Sequence, residues 1–449
     1  MTAKQYRDCR GVRFTAIDQN SVDGFDSVIE QIIEYRSTAM KQLKSVLESD
    51  PEMPMAWLLQ GYMFKLIGSH SVDDRIEKII DRIDAPKVRL NDRERLHRQA
   101  LKNWFQGDDV GACTCWRQIL KQYPKDLLAI KLLHSSTFWM GDSRQLLDSI
   151  GGVWNQWDSS DCGYSHLMGM LSFALEENGR YAEAENYAVR AIHDNPEDLW
   201  ALHALAHVFE MQSRLQEGAQ LFDRPFGIWD DRNPFRGHLW WHAAMFYLDM
   251  QDYEKVLEIY DQCISSIEST FYLDVQNTAS LLMRLDIRGV DVGDRWQSLA
   301  DIAETQIGDH VLAFTEMHYA MALASDHRTA GMEKHRESVR LFSTSNGVWA
   351  ADVMNRVGGT LCEAITRFIQ KDYRAFVNKV LPIRYEIAQV GGSHAQRDVF
   401  EQMLLHSAIQ CGDVGLASLL SGERLLRRPD NPDTRQWVDD ISQLTMSAT

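Results

Sequence analysis

The 449-residue chain is poor in proline, in basic charge and in long apolar runs, and each shortage excludes something. Only ten prolines occur and no stretch alternates for long with a period of two, so a strand-rich fold is not predicted. Lys and Arg number 47 against 64 Asp and Glu, for a formal net charge of -17. A surface that acidic repels phosphate backbones and anionic lipid, so neither nucleic acid nor a membrane surface is an expected partner. No run approaches eighteen apolar residues, and none is predicted to span a bilayer. The opening MTAKQYRDCRGVRF is polar throughout and does not read as a signal peptide. Cys9, Cys113, Cys115, Cys162, Cys263, Cys362 and Cys411 are scattered and odd in number, with no CxxC. They predict neither a disulfide framework nor a zinc ribbon, and a reducing cytoplasm is the default location. No GxSxG, Walker or GxGxxG pattern stands out.

What the chain does have is apolar residues recurring at three and four, the mark of amphipathic helices. These helices carry a phase of 34 residues, with bulky side chains near positions 4, 7 and 11, small ones at 8, 20 and 27, and proline often at 32. From Ser165 the pattern runs Leu171, Ser172, Leu175, Ala184, Ala188, Ala191 and Pro196. One period later, from Leu199, it runs Leu202, Leu205, Ala206, Phe209, Gly218 and Phe222. Units also begin near residues 20, 54, 93, 127 and 237. The fold predicted is therefore all-α: a tetratricopeptide-repeat (TPR)-like solenoid of helical hairpins, a right-handed superhelix curled around a central groove or pocket. The organisation predicted is an extension over 1–19, repeats over 20–268, and degenerate helical repeats over 269–449, where helices such as DHVLAFTEMHYAMAL continue but the phase degrades.

In TPR arrays the first helix of each hairpin lines the concave side, at positions 2, 5, 9 and 12. In the unit at Leu199 these positions give His203, His207 and Glu210, which fall within a strip about 60° wide on one helix face. In the unit at Gly237 they give His238 and its neighbour one turn on, His242. In the unit at Arg93 they give His97, and the unit at Ser165 brings Glu176 and Glu177 to the same side. The 40 residues from His203 to His242 hold four of the chain's fifteen histidines, where about 1.3 would follow from composition.

Three readings of this group stand side by side. Histidines at i and i+4 with a nearby carboxylate can hold a divalent metal, zinc or iron, on His203, His207, Glu210 and His242. The same groups can bind a small polar molecule and perform acid/base or hydrolytic chemistry on it, with His203, His207, Glu210, His238 and His242 as the catalytic set. They can also be structural histidines satisfied across stacked helices. The leading expectation is the small-molecule pocket. Its counterpart from another class is a non-catalytic scaffold holding a protein or peptide in its groove, and a homo-oligomer is compatible with either. Trp241, beside His242, could wall the site. Asp274 reads most simply as a helix cap. GGSHAQRD contains Ser393 and Gln396 at capping-box spacing, next to Arg397.

The segments WALHALAHVFEMQ, GHLWWHAAMFYLDMQDYEKVLEIYD, LDVQNTASLLMRL and LPIRYEIAQVGGSHAQRDVF closely resemble, in order, segments of the tetratricopeptide repeat protein 38 family and its bacterial relatives. The resemblance runs from about residue 5 to about residue 415 and implies a TPR-like fold over nearly the whole chain. It implies no particular reaction. It does bring further polar groups into the candidate site, His97, Asp274, His318, Arg397 and Asp398, and so favours a pocket over a flat groove.

Overall fold

The computed structural model describes residues 4–265 and 269–447. Among them the chain is all-α apart from one two-stranded ribbon. The ribbon is antiparallel, β1 (Lys4–Arg7) against β2 (Arg13–Ala16), and occupies the predicted extension, where a turn at Gly11 reverses the chain.

The helices are arranged as hairpins in two compact units. Unit 1 takes the chain up to Leu205, with Trp229–Phe235 and Asn346–Trp349. It contains α1 (Gln19–Ile33), α2 (Ala39–Ser49), α3 (Pro54–Lys65), α4 (Asp73–Asp84), α5 (Asp92–Phe105), α6 (Asp109–Gln122), α7 (Leu127–Trp139), α8 (Ser143–Gly151), α9 (Tyr164–Glu176) and α10 (Tyr181–Asp194). α11 (Leu199–Met211) carries the chain from unit 1 into unit 2. Unit 2 continues with α12 (Leu215–Leu221), α13 (Arg236–Asp249), α14 (Tyr253–Ile259), α15 (Tyr272–Ile287), α16 (Arg295–Thr305), α17 (Ala313–Ser325) and α18 (Thr329–Phe342). The last helices are α19 (Trp349–Val353), α20 (Gly359–Ile369), α21 (Tyr373–Val380), α22 (His394–Gln410), α23 (Val414–Arg427) and α24 (Pro432–Ser447).

A backbone signature marks the turn inside nearly every hairpin. One residue adopts positive φ at Tyr35, Gly68, Gly107, Gly141, Gly179, Ser213, Gln251, Gly289, His327, Lys371 and Gly412. This left-handed residue ends the first helix and lets the chain reverse. The signature continues past residue 270, where the sequence phase is lost.

Small residues set the helix spacing. Ala184, Ala188 and Ala191 on α10 are fully buried. Gly218 on α12 packs so tightly on Phe246 of α13 that a Cβ there would lie 2.1 Å from the ring. Bulky side chains fill the remaining volume, with Trp116, Phe173, Trp241 and Phe400 all sealed from solvent. All seven cysteines are free thiols. Among the described residues no helix is long and apolar enough to cross a membrane.

Candidate functional site: a histidine centre in unit 2

Within unit 2 the central side chains come from the first helices of successive hairpins. α11 supplies His207 and Glu210, α13 supplies His238, Trp241 and His242, α15 supplies Asn277, Ser280 and Arg284, and α17 supplies His318. All are buried. His207, His238 and His242 each present a ligand nitrogen within 4.8 Å of the others. The rings of His207 and His242 lie 4.5 Å apart by centroid, and those of His238 and His242 lie 4.8 Å apart.

Hydrogen bonds fix how these imidazoles carry their protons. His242 Nδ1 lies 3.2 Å from Glu210 Oε2, and His238 Nδ1 lies 2.9 Å from Asn277 Oδ1. His318 Nδ1 donates to the carbonyl of Phe314 at 2.8 Å. A neutral imidazole that donates through Nδ1 keeps its lone pair on Nε2, which is the arrangement of a metal-ligating histidine and its outer partner. Trp241 braces the group: its ring stacks on His238 with 7° between planes, and its N–H donates to Ser280 Oγ at 3.1 Å.

Burial keeps the rings uncharged. It lowers the His238 and His318 pKa values to about 4, and pushes His207 and His242 well below the ordinary imidazole range. The neighbouring rings and Arg428 add to the effect at His207. Burial also raises the Glu210 carboxyl, against the opposing pull of Arg428 and Arg284.

Further residues singled out from sequence have these neighbours. His203 stands one turn before His207 on α11, on the unit 1 side, in an aromatic bed of Trp200, Phe173 and Phe235. His97 on α5 is also in unit 1. Its Nε2 lies 3.0 Å from Asp126 Oδ2, which Arg93 holds at 2.7 Å. Glu210 bonds His242, and His238 stands with the ring nitrogens where the predicted metal set had the carboxylate. Asp274 is not a cap, as its sequence position suggested. The cap residue of α15 is Phe271, and Asp274 lies in the first helical turn, where burial raises its pKa to about 6. Arg397 is half-buried and bonds the Gly392 carbonyl and His394. Asp398 is forked by Arg424, with Oδ2 at 3.1 Å, and accepts from Gln402 at 2.6 Å. The capping box of Ser393 and Gln396 is present at the start of α22.

Several neighbours escaped sequence reading. Arg284 sits inside the apolar run SLLMRL, and a lone cation in a buried stripe was the available signal. Arg428 closes the basic RLLRR segment, which looks like an ordinary helix end. Glu316 bridges His335 at 2.8 Å and His310 at 3.1 Å, so that the two rings outweigh its burial and hold its pKa at about 2.

No family model matches the chain. Solved structures with which it aligns include the TPR domain of P58(IPK), at 14% identity over 80% of this chain and 92% of that one, with a TM-score of 0.23. Yeast Tom70 aligns at 11% identity over 88% and 96%, with a TM-score of 0.28. The Naa15/Naa10 structure bound to HypK-THB aligns at 10% identity over 96% and 66%, with a TM-score of 0.25. At these values no partner or activity passes from them to this chain.

Proposed function

We propose that this TPR-like protein, of the tetratricopeptide repeat protein 38 type, is a cytoplasmic protein whose unit 2 centre binds a divalent metal, zinc or iron, on His207, His238 and His242. A small polar molecule would bind beside it. The observation that carries the reading is the convergence of three neutral ring nitrogens within 4.8 Å, two of them on rings whose Nδ1 is engaged by Glu210 and Asn277. Neutral imidazole nitrogens are ordinary zinc ligands, and these three residues would hold the ion. A metal there supplies Lewis-acid polarisation of that molecule or of water.

The chain's own residues would do the rest. Glu210 orients His242 and raises its basicity, Asn277 orients His238, and Trp241 holds their planes. The seven free thiols suit a reducing compartment.

Elemental analysis of untagged protein tests the proposal. The expected result is about one zinc or iron per chain, lost in H242A and H238A. Metal-free wild-type protein that cannot be loaded would return these histidines to a purely structural role.

A further inference from the structure

Unit 2 buries three arginines, Arg284, Arg424 and Arg428, with the half-buried Arg288 bonded to the Arg284 carbonyl, and they are not equivalently neutralised. Arg288 is paired with Asp433, at 2.5 and 3.2 Å, and Arg424 with Asp398. Arg284 is fully buried, yet it bonds only neutral groups: the Ser280 carbonyl at 3.1 Å, Ser280 Oγ at 2.9 Å and the Ala395 carbonyl at 2.7 Å. Its Nε has no hydrogen-bond partner. Arg428 meets Met211 Sδ at 3.2 Å and approaches Glu210 Oε1 only to 3.6 Å. Glu210 is meanwhile committed to His242.

A buried guanidinium without a directly bonded counter-ion is costly. Nearby Asp398 and Glu210 act on Arg284 through space, while burial lowers its pKa to about 10, so it remains a cation at neutral pH. The position of this charge matters. Arg284 lies over the Trp241 ring at 5.4 Å, and both donate to Ser280 Oγ. The same indole stacks on His238 and meets His242 edge-on at 4.8 Å. The guanidinium and the imidazoles therefore flank one aromatic wall.

We propose that the molecule taken up by this centre is a small oxyanion, a carboxylate or a phosphate, recognised by Arg284 and Arg428. Guanidinium groups match oxyanions bidentately. The proposal rests on the preceding reading for the location of the ligand, but the arginines themselves require no metal.

The test is calorimetric titration of the untagged full-length chain, as purified and after chelation, with inorganic phosphate, with acetate and with neutral acetamide. Metal content is measured on the same samples. The expected result is saturable binding of phosphate or acetate, one per chain, and none of acetamide. Whichever of the two binds more tightly names the class. R284K and R428K keep the charge but lose the fork, and each is expected to weaken binding at least about tenfold. Failure of both anions to bind wild-type protein in either state overturns the inference, whether or not the variants fold. Folded R284K and R428K that bind as wild type does also overturn it. Metal without anion removes this inference alone, and arginine-dependent anion binding without metal removes the preceding reading alone.

Discussion

Glu210 and His242 meet at 3.2 Å in a setting sealed from solvent, on two helices 32 positions apart. A carboxylate behind a ligating imidazole fixes its tautomer and strengthens it as a donor, with about 10- to 100-fold in metal affinity at stake. E210Q retains the shape and an acceptor oxygen but removes the charge. It is expected to lower zinc affinity by about tenfold, read by competition with a chromophoric chelator, with little loss of helical signal. Unchanged affinity would disconnect Glu210 from the centre.

The centre should hold its metal under acid better than an exposed histidine site. Protons compete with a metal only when the pH nears the folded pKa, about 4 for His238. Dialysis at pH 5.5 is therefore expected to leave the metal bound, with release as the pH approaches about 4. Early loss near the ordinary imidazole value of about 6.5 would contradict the neutral, buried state of these rings.

Stability follows the same protonation. His318 titrates at about 4 when folded and at about 6.5 when unfolded, so between these values the unfolded chain binds more protons. Its contribution is complete above about pH 6.5 and is lost as the pH falls toward 4, by about 3 kcal/mol. Asp249 and Asp274, raised to about 6, act in the opposite sense and add stability as the pH falls through that value. H318Q should therefore flatten the fall in stability between pH 6.5 and 4, measured by urea unfolding at stepped pH.

In unit 1, Asp126 caps α7, pairs with Arg93 and meets His97. Burial alone would raise its carboxyl, but Arg93 and His97 outweigh that and hold it well below the usual range. D126N leaves Arg93 as an uncompensated buried cation. A loss of about 3–5 kcal/mol is expected by urea unfolding. A loss below about 1 kcal/mol would mean that Arg93 finds another partner.

Helix packing has its own check. G218A would place a methyl 2.1 Å from Phe246, whose ring is fully buried and cannot step aside. Overpacking of this kind costs about 1–3 kcal/mol, visible as a lowered urea midpoint. A neutral substitution would show slack between α12 and α13.

The all-helical, TPR-like character was legible because buried alanines and bulky apolar residues recur in phase through α9 to α13. Beyond residue 270 two things obscure that phase. The left-handed turn residues Gln251, Gly289 and His327 are spaced by 38 positions, against the 34 of the consensus unit. π-helical turns at Tyr260–Ile264 and Met354–Gly358 then shift the apolar face by an extra residue each. At the centre, the histidine spacing pointed to α11 and α13, because helical geometry places i and i+4 on one face. Asn277, Arg284 and Arg428 approach only through tertiary packing, and no local pattern announces that. The ribbon of β1 and β2 was missed because four-residue strands carry too few alternations to register.

That ribbon is fastened from far along the chain. Thr15 donates through its backbone N–H and its hydroxyl to Glu94, 79 positions later, while Arg93 holds the Arg13 carbonyl. During synthesis at about 5–20 residues per second, the first strands wait roughly 4–16 seconds for the helix that receives them. Until then the edge of the ribbon is open to other strands. The charged Lys4, Arg7 and Arg13 that punctuate it are the kind of residue that discourages such pairing, so the beginning of the chain is written for the interval before it folds as much as for its place in the finished array.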